Sequence, residues 1–163
     1  MGIYVIQYKQ DPTYVLGVND QIANSPVVVR KQGTPNRFVL WDINFDTGVI
    51  SLNSSGGTLA LDPQGDRVAP EVPLVLAPVN PAAAGQRYDV ITKPNYLLSV
   101  ANHQLCIDNK GRGLSDGNPV WLYQFNGSPG AAMESGAADE SDAGSLILFA
   151  SAARPAAPVN EAR

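Results

Sequence analysis

Apolar residues along this chain alternate with polar ones, or gather in runs of four to six, and breakers interrupt them every ten residues or so. The pattern predicts strands over 3–8, 14–18, 27–30 and 38–43. Asp11-Pro12, Asn24-Ser25-Pro26 and Gly33-Thr34-Pro35 separate them. The same order returns over 49–52, 58–61, 74–76 and 87–92, and again over 96–100, 105–107 and 120–123. Residues 145–149 supply a closing strand.

Three landmarks recur with this order. The second strand of each set ends in Leu16-Gly17-Val18-Asn19, Leu59-Ala60-Leu61-Asp62 and Leu105-Cys106-Ile107-Asp108. Pro26, Pro73 and Pro119 open the third strands, 47 and 46 residues apart. A polar-x-apolar triplet follows as Asn36-Arg37-Phe38, Gln86-Arg87-Tyr88 and, reduced, Ala131-Ala132-Met133. Landmarks returning at one interval indicate an internal threefold repeat, with units near 1–46, 47–93 and 94–150. A four-strand unit cannot bury its apolar face alone, whereas three closing about an axis can. Residues 131–144, small and acidic, read as an inserted loop, and 151–163, rich in Ala and Pro, as a C-terminal tail.

Composition sharpens this picture. The chain has 163 residues, enough for one domain with a real core and too few for two full ones. Charged residues are only 16%, while 15 glycines and 13 prolines favour short strands and tight turns. Net charge is −4, and Arg30, Lys31 and Arg37 form the one local basic group, which argues against nucleic acid as a partner. No apolar run approaches the ~20 residues of a membrane span, and no secretory leader pattern opens the chain, so a cytoplasmic location is expected, with release by a non-classical route as the variant.

The richest chemistry lies between residues 105 and 126. Strand alternation sends Val120 and Leu122 one way and Trp121 and Tyr123 the other, near the carboxylate of Asp108. Rings beside a hydrogen-bond acceptor suit a ligand with C–H patches and hydroxyls, that is, a sugar. Asp108 could equally cap the Gly-rich turn after it. His103 reads as an exposed turn residue and Cys106, the single cysteine, as a buried inert thiol. The carboxylates of 134–142 lack the spacing of a calcium loop, so no metal or cofactor is expected. One His and one Cys three apart around a hairpin, without an orienting third group, give catalysis no foothold.

With its Leu-x-[Leu/Ile]-Asp strands, proline-led third strands and Gln-x-aromatic landmark, the chain resembles the ricin-B-like β-trefoil lectins over about residues 1–150. The resemblance implies an all-β trefoil and non-enzymatic binding of glycans or glycoproteins, galactose-type sugars first. It makes Asp108 the acceptor for sugar hydroxyls and Tyr123 the stacking ring. Trp121, Lys110, Gly111 and Asn126 would complete that pocket. Asp62 and Gln86 offer a second site, but Ala77 stands at its ring position, and the first unit has Asn19 and Arg30 for acid and ring. A lone shallow site would need an oligomer or larger complex for avidity. The other class this scaffold suggests is a protein-binding trefoil, such as a protease inhibitor or toxin targeting module, with relic sugar sites.

Overall fold

The described residues form twelve strands: β1 (Gly2–Tyr8), β2 (Tyr14–Val18), β3 (Val27–Lys31), β4 (Trp41–Ile43), β5 (Ile50–Leu52), β6 (Leu59–Pro63), β7 (Leu74–Pro78), β8 (Tyr88–Asp89), β9 (Leu98–Ser99), β10 (Leu105–Asn109), β11 (Val120–Gln124) and β12 (Leu146–Phe149). The computed structural model describes residues 2–125 and the backbone of β12. The acidic stretch 131–144, the landmark at 131–133, Asn126 and the tail lie outside the described residues.

The expected strands form where the alternation placed them, with three corrections; the one expected over 96–100 shortens to Leu98–Ser99, because the Tyr96 amide closes a turn on the Lys93 carbonyl. The predicted strand at 38–43 starts at Trp41, because Asn36–Phe38 closes a 3-10 turn after Pro35. The one at 87–92 shrinks to Tyr88–Asp89, because Asp89 accepts the amides of Ile91 and Thr92 and so turns the chain.

All the ladders are antiparallel. Three hairpins, β2–β3, β6–β7 and β10–β11, are the outer element of each unit. β1 pairs with β4, β4 with β5, and β8 with β9, while β12 returns to pair with β1 (Val5 opposite Phe149, Tyr8 opposite Leu146).

The threefold relation is written in backbone bonds. Isolated bridges join Pro26 to Val75, Pro73 to Trp121 and Pro119 to Val28, each proline reaching the residue two past the next unit's proline. Two residues before each proline, the amides of Asn24, Glu71 and Gly117 donate to the carbonyls of Leu76, Leu122 and Val29, each at 2.7 Å. Those three residues all have positive φ, of 71°, 68° and 98°. One bend therefore recurs three times and closes a ring, and the prolines are spaced alike because each occupies the same joint.

Inside the ring sit Leu16, Trp41, Ile43, Ile50, Leu52, Leu61, Leu74, Leu76, Tyr88, Ile107, Val120 and Leu122, all essentially solvent-free. Trp41 is the largest, and its indole N–H donates to the Leu16 carbonyl at 3.0 Å. A tight approach joins β5 to β8, where the Tyr88 amide donates to the Gly48 carbonyl at 2.8 Å. Gly48 has φ +82°, and a Cβ there would lie 2.6 Å from the Tyr88 oxygen. Gly48→Ala is expected to lower stability by about 1–3 kcal/mol in urea unfolding, as strained backbone and clash combine.

Candidate functional site

The hairpin of the third unit assembles the residues the sequence pointed to. In its ladder Asp108 stands opposite Trp121, and Cys106 opposite Tyr123, so all four share the outward face. Leu105, Ile107, Val120 and Leu122 fill the opposite face and are buried. This core face locks the register, since a one-residue slip would exchange the two sets.

On the outer face the rings of Trp121 and Tyr123 lie nearly parallel, centroids 5.3 Å apart and planes 7° apart. Tyr123 is 38% exposed and forms the open end of the stack. Beneath it Cys106 is buried and in no disulfide, as expected for it.

The Trp121 indole N–H donates to Asp108 Oδ2 at 2.9 Å. Asp108 is only 7% exposed, and that burial pushes its carboxyl up to about 6, against the opposing pull of the indole bond and the Arg112 charge. The indole thus fixes the orientation of the carboxyl on this face. Alternation placed the two side chains on one face; the bond between them depends on rotamers that no spacing reveals.

Asp108 does not cap the turn after it. Asn109 and Asn118 do so instead: Asn109 Nδ2 donates to the Gly113 carbonyl (2.9 Å), and Asn118 Nδ2 to Asn109 Oδ1 (2.7 Å) and the Lys110 carbonyl (2.8 Å). These bonds hold Lys110–Arg112 in a single turn with Gly111 at φ +61°. A Cβ on Gly111 would meet nothing within 4 Å, so the turn leaves open space. Lys110 extends from it with Nζ 5.4 Å from the Trp121 ring centre. Asp108, Lys110, Gly111, Trp121 and Tyr123 are therefore brought together; Asn126 lies outside the described residues.

Asp62 and Gln86 are neighbours of a different kind. Asp62 occupies the place of Asp108, but Val75 stands opposite it and Ala60 faces Ala77, so no ring reaches it. It is 9% exposed, Oδ1 has no partner among the described residues, and burial pushes its carboxyl up, with Gln86 pulling the other way and Asp66 adding to the rise. Gln86, 2% exposed, is also held by the backbone: Nε2 donates to the Pro78 carbonyl at 3.0 Å and Oε1 accepts the Asn80 amide at 2.9 Å. The pair braces the wall of the second unit.

The first unit departs from the sequence alignment. Its ladder sets Gly17, not Asn19, at the acid position, opposite Val28, and Arg30 at the ring position, opposite Val15. Asn19 is exposed beyond the strand, because the loop of this hairpin is two residues shorter than the other two. A Cβ on Gly17 would lie 2.7 Å from Arg30 Cγ and 2.8 Å from the Phe38 carbonyl, so the space of a carboxylate is already filled.

The solitary histidine, half exposed as expected for a turn, sets Nε2 3.0 Å from Asp89 Oδ2. Burial resists ionisation of Asp89, but bonds from Thr92, Ile91 and His103 hold its carboxyl well below the usual range. Among the described residues no three His, Cys, Asp or Glu side chains converge as a metal site, and no helix is long and apolar enough to cross a membrane.

Known structures place this architecture. The C-half of an earthworm R-type lectin, solved with GalNAc, matches with TM-score 0.66 and 14% identity over 91% of this chain and 98% of that one. The designed threefold-symmetric protein ThreeFoil matches with TM-score 0.70 and 15% identity, over 91% and 99%. A mosquitocidal holotoxin matches with TM-score 0.68 and 14% identity over 90% of this chain and 17% of the toxin chain. No family model and no curated protein sequence matches. The chain is a β-trefoil, similar in fold to the R-type lectin domains.

Proposed function

We propose that this protein is a non-enzymatic carbohydrate-binding module whose main site is the outer face of the β10–β11 hairpin. The observation that carries the reading is the stack of Trp121 and Tyr123 directly beside Asp108. The exposed Tyr123 ring offers an apolar plate for the C–H face of a pyranose. Asp108 keeps Oδ1 to accept sugar hydroxyls while its Oδ2 is oriented by the indole, and Lys110 supplies a donor at the rim. The earthworm lectin of similar fold was solved with GalNAc, and galactose-type glycans are the first to test.

One shallow site of this kind binds at about the millimolar level, roughly −4 kcal/mol, so useful avidity would come from an oligomer or a larger assembly. On a glycan array Tyr123→Ala and Asp108→Ala are each expected to reduce binding below detection, with unchanged circular dichroism. Parent-like binding by both variants would overturn the site.

A second reading, a protein-binding trefoil, draws on the indole bond, which already occupies one carboxylate oxygen, and on the loss of ring or acid in the other two units. Retention on lactose resin separates the two: a protein-binding module passes through, and its capture of a partner ignores free sugar.

A further inference from the structure

The first unit holds what the third lacks, a concave surface rich in positive charge. A groove of about 700 Å³ opens between β1, β2 and the loop after β3. Its floor is Val5, Val15 and Val39, and its rim carries Lys31, Asn36 and Arg37; among the described residues no carboxylate lines it. The basic group that stood apart in an acidic sequence is thus gathered at one place.

Its cations are differently committed. Arg30 is taken: Nε donates to Asp116 Oδ1 at 3.0 Å and Nη1 to the Val18 carbonyl at 2.7 Å. Asp116 also accepts the Lys31 amide at 3.1 Å, and although burial opposes ionisation, these bonds and the nearby charges of Arg30 and Lys31 hold its carboxyl below the usual range. Neither the Lys31 ammonium nor the Arg37 guanidinium has an ion-pair partner among the described residues. Arg37 lies against the Phe38 ring, its guanidinium carbon 4.6 Å from the centroid.

The rim is also preformed. The Gln32 amide donates to the Thr13 carbonyl at 2.7 Å, and the Thr34 amide and hydroxyl both reach the Lys31 carbonyl, at 3.1 and 2.6 Å. Two cations with no ion pair among the described residues, on a pinned loop over an apolar floor, meet an oxyanion at little ordering cost. The acid that the corresponding places in the other units carry, Asp62 and Asp108, is here Gly17, so no negative charge of that kind opposes it.

We propose that this groove is a separate binding site that takes the sulfate or phosphate ester of an anionic saccharide between Lys31 and Arg37, with the sugar's carbon face on the valine floor. The site is separate from the ring-bearing outer face of the third hairpin, although Asp116 of that hairpin's loop helps to hold Lys31.

The test is an amide-shift titration of the full ¹⁵N-labelled chain at low salt with an N-sulfated heparin disaccharide, glucose 6-phosphate, inorganic sulfate and lactose. The sulfated or the phosphorylated sugar is expected to move amides in 31–37, and the stronger of the two identifies the ester. Lactose should leave these amides in place. Binding should weaken as salt is raised. Lys31→Gln with Arg37→Gln should weaken it by at least about tenfold, the loss of two charge-assisted contacts, whereas Tyr123→Ala should leave it unchanged. Because Arg37 packs on Phe38, Lys31→Gln alone serves as the control that keeps the loop intact, with a smaller loss.

The site is overturned if the double variant titrates like the parent, or if lactose moves the same amides equally. Inorganic sulfate binding as tightly as either sugar ester would show an anion contact only and overturn the saccharide assignment. Loss of lactose binding in Tyr123→Ala, with the 31–37 shifts intact, separates this site's fate from that of the third unit.

Discussion

Trp41→Ala is expected to remove about 3–5 kcal/mol of stability, the usual cost of deleting a fully buried large aromatic. The indole is 0% exposed at the junction of β1, β4 and β5, where Tyr4 pairs with Trp41 and Trp41 with Leu52. Its removal opens a cavity bordered by strands of the first and second units, which can close it only by breaking their registers. It also strips the Leu16 carbonyl of its donor at 3.0 Å, leaving a buried acceptor unmet. Against a total of about 5–15 kcal/mol for a domain of this size, the variant should unfold at a much lower urea concentration, with an unchanged slope. A midpoint within experimental error of the parent would show that the three units do not share one core.

Asp108→Asn is expected to separate stability from function. The carboxyl is raised from 3.8 to about 6, chiefly by burial. A raised carboxyl favours the folded state when it is protonated. Above pH ~6 the acid is ionised in both states and the folded one bears the cost of burying charge; as pH falls from 6 towards 4 the folded state takes up the proton first and gains stability. At about 1.4 kcal/mol for each pH unit between the two values, that cost is at most about 3 kcal/mol at pH 8.

Asparagine removes the charge while its carbonyl still accepts the Trp121 N–H. The variant should therefore resist urea better than the parent at pH 8, with the difference shrinking towards pH 4. Sugar binding should move the opposite way, falling by about tenfold, because a charged acceptor is replaced by a neutral one. In the parent itself, binding should weaken as pH drops through about 6, where the carboxylate is lost. Asp62, also raised by burial, titrates in both proteins and cancels in the comparison. A variant no more stable than the parent at pH 8 would mean that Asp108 ionises without strain.

The third hairpin shows how far a sequence carries. Val120 and Leu122 alternate with Trp121 and Tyr123, and period two leaves only one way to seat the apolar pair inside, so the outward rings and the facing acid follow directly. Asn19 shows where reading fails. Its tetrapeptide matches those ending in Asp62 and Asp108, yet a loop two residues shorter draws the hairpin into a register that places Gly17 opposite Val28. Loop length, not local similarity, decided which residue faces outward. Gln86, chosen for its amide, likewise proved to be held by the Pro78 and Asn80 backbone, a pairing made by a turn rather than by a strand.

By itself, then, the sequence determined the strands, their threefold recurrence and the joints at Pro26, Pro73 and Pro119, because alternation and backbone-restricting residues act locally and repeat with the chain. Only the tertiary structure decided that Trp121 would hold Asp108, that Arg30 and Phe38 would fill the space beside Gly17, and that Lys31 and Arg37 would rim one groove. Those outcomes depend on register, rotamer and burial, which are set when distant strands compete for the same space and do not exist until the ring has closed.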